Sequence, residues 1–451
     1  DRLPGVNTTR DRGNASEASI RGLGPRLVLG LVNGREVASS EPSQELRWEI
    51  FPSEILSGAQ VYKSQDASLI PGGIAATVDI RTISPLDYHG PKFTLQMGPE
   101  YDDLGKGLPN YSPFGYRGSA GYVAHINDDL AVAVAGSIQR EKNAFSDFRT
   151  WGWNTPYNSA GNTGDLNGDG TPDNTNYGLN TEAKEITQDR SALTTTIAWR
   201  VSDALTLKYD ALFSQYTIQE NDFQAWFGNN ILGNWDNGDA YLYNAPGNSY
   251  QIENGTVVAA TLNGAYPDYE SEIANYQESH QLFATGLNAA WNAGQWSGQV
   301  DLSFSDAKRR NQWEAIYLSD LYPPNLVYDV AADQAPYALT PGFDPADPAL
   351  QSVGGYRQNS GSNVDSTGES TGPEYTHDSL GALAIDVTRR LGIQDLPALH
   401  FGARVSARRK RHQEFQWGLC PGSGSTTFTI PYDQGSQTCP DGVQQISLAN
   451  A

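Results

Sequence analysis

The sequence predicts a mainly β protein dominated by a transmembrane antiparallel β-barrel, and three observations point there. From residue 91 onward, apolar and polar residues alternate in runs of about 10–15. The connections between runs alternate between short turns and long polar loops. Hydrophobic content is 38% and mean hydropathy −0.51, so no window approaches the apolar length of a membrane helix. A barrel strand asks for less, only about 9–11 alternating residues.

The alternation can be read strand by strand. In "GQWSGQVDLSFSDAKRR", Trp296, Val300, Leu302 and Phe304 face one way, while Gln295, Ser297, Gln299, Asp301, Ser303 and Ser305 face the other. In "ALTLKYDALFSQY", Leu205, Leu207, Tyr209, Ala211 and Phe213 oppose Thr206, Lys208, Asp210 and Ser214. In "ALHFGARVSARRK", Leu399, Phe401, Ala403 and Val405 oppose His400, Arg404, Ser406 and Arg408. Similar runs near 91–98, 117–126, 129–140, 190–201, 279–291 and 378–391 bring the count to nine candidate strands. Their polar faces carry charges, where a sandwich would need a second apolar layer.

Short turns are expected at 127–129, 201–204, 292–295 and 392–397. Long loops are expected at about 141–188, 219–276, 310–375 and 412–451, always at the same end of the hairpins. Outer-membrane barrels have this asymmetry, with short turns on one side and long loops outside. The formal net charge of −22 argues against nucleic-acid binding, which needs clustered Lys and Arg against phosphates.

Residues 1–86 read differently. They form a small α+β unit of short strands, with a brief helix expected to open at Pro52 in "PSEIL". "RGLGPRLVLG" lacks the glycine spacing of a nucleotide-binding loop. In order, "LPGV", "IRG", "NGREV" and "VYKS" are followed by the Gly72-Gly73 turn and the strand "TVDIRT". Together these motifs resemble the later part of the plug domain of TonB-dependent outer-membrane receptors. The resemblance implies a plug within the lumen of a barrel of about 22 strands, a bacterial outer-membrane location, and active import energised by a TonB-ExbB-ExbD complex. It also suggests that Arg21, Arg35, Glu54 and Arg81 hold plug to barrel. In the family the segment that contacts TonB lies upstream of "LPGV", so the start of the plug is expected to be missing from this sequence. Nine strands as an open sheet would leave two unpaired edges in lipid, so the chain reads as part of a larger barrel. A passive porin-like channel and a surface carbohydrate-binding protein remain as other readings. No catalytic set is proposed, since the six histidines sit in no recurring spacing.

Several residues stand out as candidate sites. Asp165, Asn167, Asp169 and Asp173 occupy positions 1, 3, 5 and 9 of a calcium-loop pattern, with Gly170 at the turn and the Thr171 carbonyl at position 7. The pattern lacks its glutamate at position 12, and the competing reading is a metal-free loop of Asx turns. No other cofactor is called for. Trp226, Phe227, Trp235, Tyr241 and Tyr243 lie in a loop with eight acidic residues and no Lys or Arg. Such a loop suits an oligosaccharide-like nutrient better than an anionic ferric siderophore, and the same aromatics could instead pack the loop itself. Arg404 and Arg408 have lumenal parity and could pair with plug carboxylates or guide an anion. Arg409 and Arg411 have outward parity, where membrane lipid and lipopolysaccharide phosphates could meet them. Cys420 and Cys439 bracket an eighteen-residue loop, as a disulfide contributing about 3 kcal/mol or as two thiols.

Overall fold

The computed structural model describes residues 4–109, 111–151, 165–175, 178–228, 247–263, 269–320, 325–329, 338–341, 351–359, 374–393, 396–413, 417–419, 427–429 and 436–438. The N-terminal unit opens with a hairpin, β1 (Val6–Asp11) and β2 (Asn14–Ile20), whose turn places Arg12 and Gly13 at positive φ. A four-stranded sheet follows, built from β3 (Val28–Val32), β4 (Arg35–Glu36), β5 (Leu56–Tyr62) and β6 (Ala76–Thr82) in the order β4-β3-β6-β5. The β3–β6 pair is parallel and the others antiparallel. The helix expected at Pro52 is a single 3-10 turn, Ser53–Ile55, and the described helical turns of this unit are all of that kind. Pro52 itself stays extended as the cap, and the chain re-enters a strand directly at Leu56.

Nine strands then form one antiparallel sheet in chain order. They begin with β7 (Lys92–Tyr101), β8 (Phe114–His125), β9 (Leu130–Trp151), β10 (Gly178–Ser202) and β11 (Leu205–Gly228). Two loop strands intervene, β12 (Ser249–Glu253) and β13 (Thr256–Asn263), before the wall resumes with β14 (Tyr269–Ala293) and β15 (Trp296–Asp320). Further loop strands are β16 (Asn325–Asp329), β17 (Ala338–Pro341) and β18 (Gln351–Asn359); β19 (Glu374–Ile393) and β20 (Leu396–Gln413) complete the wall.

The predicted parity holds across the wall. Leu193, Ile197, Trp199, Tyr209, Phe213, Trp296, Leu302, Phe304, Leu383 and Val405 are exposed on the outward face, while Asp210, Ser214, Ser305 and Asp378 are buried inward. From Trp296 to Phe304 the outward apolar column of β15 covers about 26 Å along the strand, or about 20 Å along the normal at a tilt of about 40°. That suits the apolar band of an outer-membrane barrel, and Trp199 and Trp296 mark its lower girdle.

The strands exceed the expected 10–15 residues. Much of what reads as loop at 141–188, 219–276 and 310–375 is strand: β9 and β10 remain paired from Leu130↔Trp199 up to Trp151↔Gly178. Above the apolar band both strand faces meet polar surroundings, so alternation disappears while backbone pairing continues. β15 shows the same, pairing β19 over Trp296–Asn311 and then β18 over Trp313–Asp320. Two loops also pair with each other, β12, β13, β16 and β17 forming a separate four-stranded sheet.

The N-terminal unit packs into the concave side of this wall. One apolar core takes Val32, Val37, Leu46, Ile50, Phe51 and Ile80 from the unit and Ile186, Leu212, Tyr216, Leu282 and Leu380 from the wall.

Candidate ligand-binding site and plug seat

Three layers of contact join the N-terminal unit to the wall. In the lowest, Arg35 donates to Asp210 of β11 (Nη1, 2.6 Å) and to Asp301 of β15 (Nε, 2.8 Å; Nη2, 2.9 Å). Between those strands lies β14, where Gly286 stands opposite Asp210 in register. A Cβ at Gly286 would collide with the Arg35 guanidinium, so the glycine is what lets one arginine span three strands. Burial works against the charge, but the hydrogen bonds to Asp301 and the nearby Asp210 outweigh it and hold Arg35 protonated.

Beside it, Glu36 takes the opposite role. It accepts from Arg404 (2.9 Å) and Arg408 (3.4 Å) of β20, and Arg408 also donates to Asp378 of β19 (3.0 Å). The adjacent Arg35-Glu36 dipeptide thus pairs with wall carboxylates on one side and wall arginines on the other.

Higher up sits a buried ionic cluster. Arg47 donates to Glu49 (2.7 Å) and to Glu278 of β14 (3.0 Å); Arg309 of β15 donates to Glu278 (3.0 Å) and Glu374 (3.1 Å). His280 lies between Ser40 Oγ (2.9 Å from Nδ1) and Glu278, stacked on Tyr216 at 5.9 Å. Among the described residues, Glu41, Glu278 and His280 are the one trio whose ligand atoms converge to within 4.8 Å. Arg47 and Arg309 both stand on Glu278, where a metal ion would have to sit.

The β1–β2 hairpin tip is the apex. Arg12 pairs with Glu220 and lies 5.0 Å over the Tyr276 ring; Asn14 donates to Gln188 (2.7 Å) and Glu141 (3.3 Å); Asn143 donates to the Arg12 carbonyl (3.0 Å). Beyond this tip the inward wall carries Phe145, Asp147, Arg149, Glu182, Lys184, Asp222 and Trp313. Lys184 reaches Glu182 (2.9 Å) and Asp222 (3.2 Å) and lies 5.4 Å over Phe145. Among the described residues, Asn180 Oδ1 and Asp222 Oδ1 are buried there without a hydrogen-bond donor.

The remaining sequence candidates fall as follows. Glu54 faces Arg117 of β8 at 3.6 Å. Among the described residues Arg81 has no ion pair with the wall; it pairs with Asp79 two residues back on the same face of β6. Arg21 is exposed at positive φ, its amide bonded to the Gly5 carbonyl. Trp226 and Phe227 lie in the ladder at the end of β11, and Trp235, Tyr241 and Tyr243 lie outside the described residues, as do Cys420 and Cys439. In the acidic loop, Asp165 accepts the amides of Gly168, Asp169 and Gly170 (2.7, 3.1 and 2.8 Å), Asp169 that of Thr171 (2.8 Å), and Asp173 that of Leu166 (2.9 Å). Those amides, Gly170 first, hold the Asp165 carboxyl below its usual range. Asn167 accepts from the Asp169 amide (2.8 Å), and the segment docks through Asn174 on Gly255 and Val257. The apex residues Arg12, Gly13 and Asn14 escape the sequence reading. The signal that marks them is an Arg-Gly turn between two short alternating runs.

Residues 1–77 match the family model of the TonB-dependent receptor plug domain. The N-terminal unit is therefore a TonB-dependent receptor plug domain. The wall around it is barrel, and the location is the bacterial outer membrane. Nothing among the curated proteins matches the chain. Similar solved structures include a point mutant of the ferric enterobactin receptor PfeA from Pseudomonas aeruginosa (12% identity, TM-score 0.33, 91% of this chain and 68% of that one). The copper transporter OprC matches at 10% identity and TM-score 0.34 (94% and 57%). The outer-membrane transporter YddB from Escherichia coli matches at 9% identity and TM-score 0.29 (84% and 61%). The chain spans 57–68% of the length of these three structures.

Proposed function

We propose that this chain is part of a TonB-dependent receptor that imports a neutral or cationic, hydroxyl-rich ligand, of oligosaccharide type, captured above the plug apex and released inward by TonB-ExbB-ExbD. The observation that carries this reading is the wall above Arg12–Asn14. Its acceptors exceed its donors, with Glu182, Glu220, Asp222 and Glu272 against Lys184, Arg149 and the plug's own Arg12. Asn180 Oδ1 and Asp222 Oδ1 are acceptors that ligand hydroxyls would satisfy. Phe145 and Trp313 supply faces on which sugar rings stack, and the sequence adds Trp226, Phe227, Trp235, Tyr241 and Tyr243 to the aromatic supply. An anionic ferric chelate would meet repulsion on the same surface.

The acidic loop at Asp165, Asn167, Asp169, Thr171 and Asp173 is assigned a structural role in this scheme. Calcium there would stiffen the segment that docks on the β12–β13 hairpin. The ion takes no part in transport.

Uptake of labelled oligosaccharides by cells, before and after collapse of the proton-motive force, tests the proposal. Energy-dependent uptake supports it. Uptake that persists unchanged would instead support a passive channel, and turnover or binding without uptake would support a surface carbohydrate-binding protein.

A further inference from the structure

The outward face of β15, β19 and β20 changes character within a few residues, and the strand register sets its rows side by side. Two apolar rows, Leu302–Leu383–Val405 and Phe304–Gly381–Ala407, lie at the top of the band. Above them come Asp306–Ser379–Arg409, then Lys308–His377–Arg411, then Arg310–Tyr375–Gln413.

The apolar rows contain a notch of about 610 Å³, walled by Tyr209, Leu287, Leu302, Phe304, Leu383 and Val405 and floored by Gly381 and Ala407. A side chain at Gly381 would point into open space, its Cβ meeting only the Ser303 carbonyl at 3.9 Å. The cationic rows are poorly compensated. Asp306 is shared by His377 (2.6 Å) and Lys308 (3.5 Å), and Arg310 lies over the Tyr375 ring at 5.6 Å. Arg409 and Arg411 have no carboxylate partner among the described residues. The rim at β9 and β10 differs: there Arg140 is neutralised by a two-pronged pair with Asp189 at 2.7 and 2.9 Å.

We propose that this face docks a phosphate-bearing lipid of the outer leaflet, with an acyl chain in the notch and the phosphates on Lys308, Arg310, Arg409 and Arg411. Parity selects the lipid over a soluble anion. The cations continue the lipid-facing column of each strand, so an anion bound there has the apolar band directly beneath it. Guanidinium forks suit phosphate oxygens in geometry as well as charge. The assignment is independent of what the receptor imports.

The test uses the receptor in phosphatidylcholine nanodiscs carrying either bisphosphorylated lipid A or its dephosphorylated form, with lipid retention read by native mass spectrometry. The bisphosphorylated form should be retained. Neutralising Lys308→Gln, Arg409→Gln and Arg411→Gln should lower retention by roughly fivefold per cation. Gly381→Leu, which fills the notch and leaves every charge in place, should lower it too. Arg140→Gln should leave it unchanged, and inorganic phosphate should fail to displace the lipid. Equal retention of the dephosphorylated form, full displacement by inorganic phosphate, or wild-type retention in the triple variant or in Gly381→Leu would each overturn the proposal. Should the triple variant fold poorly, Arg409→Gln and Arg411→Gln singly carry the same reading.

Discussion

Arg35 crosses the backbone of Gly286 to reach carboxylates on both neighbouring strands, Asp210 at 2.6 Å and Asp301 at 2.8 Å. Each partner is largely buried, so breaking the group strands uncompensated charge. Gly286→Val should displace the guanidinium and cost roughly 3–5 kcal/mol, read as a lower denaturation midpoint. Arg35→Met should cost a similar amount. The triple change Arg35→Met, Asp210→Asn, Asp301→Asn should recover part of that loss, because no buried charge is left behind. A Gly286→Val protein of wild-type stability would remove the glycine from this account.

Glu36 supplies the complementary contact to Arg404 and Arg408. Glu36→Arg should destabilise the plug's seat, and pairing it with Arg404→Glu should restore roughly 0.5–3 kcal/mol as coupling energy. A double-mutant cycle measures this, and an additive result would mean that the contact is not a coupled one.

The acidic loop makes a prediction about metal removal. Calcium should protect the chain from cleavage near 165–173, and a chelator should expose it. Asp165→Asn should abolish the calcium effect, since Asp165 gathers three loop amides. If cleavage is identical with calcium and with chelator, the amides alone hold the loop and its carboxylates bind nothing.

Asp79 sets a pH dependence within the plug. Burial raises its pKa, outweighing the Gly34 amide and Arg81. The folded state therefore holds the proton more tightly than the unfolded chain. Asp79 lowers stability as pH rises from the ordinary aspartate range to its folded pKa, and the cost is constant above that. In acid titrations, the stability difference between the wild type and Asp79→Asn should shift across this window, with the wild type relatively more stable at its acid end. A pH-invariant difference would contradict the assignment.

The sequence announces the wall more fully than the site, for a physical reason. Where one strand face meets lipid and the other a packed lumen, as along Val300–Ser305, alternation is enforced residue by residue. Above the band that constraint lapses: Asn275 and Gln277 face outward while the half-buried Tyr276 and the buried Glu278 face inward. The continued pairing of β14 with β15 there leaves no periodic trace. The seat is partly legible, since "NGREV" carries Arg35 and Glu36. Gly286 is not, because its meaning depends on an arginine 251 positions earlier in the chain. Arg81 has the same charge as Arg35, yet its partner is Asp79, a choice fixed by which face of β6 meets the wall.

Energised release of the ligand past the plug is the central claim, and it requires the plug to shift from its seat, so tethering the plug's apex to the wall tests it most directly. Asn14 and Gln188 touch across the plug–wall boundary at 2.7 Å. Cysteines at these two positions, with Cys420 and Cys439 replaced by serine, can be joined by a short thiol-specific crosslinker in intact cells. The account predicts energy-dependent uptake before crosslinking and its loss afterwards, with ligand binding retained. Undiminished uptake through a receptor whose apex is covalently fixed to the wall would contradict it.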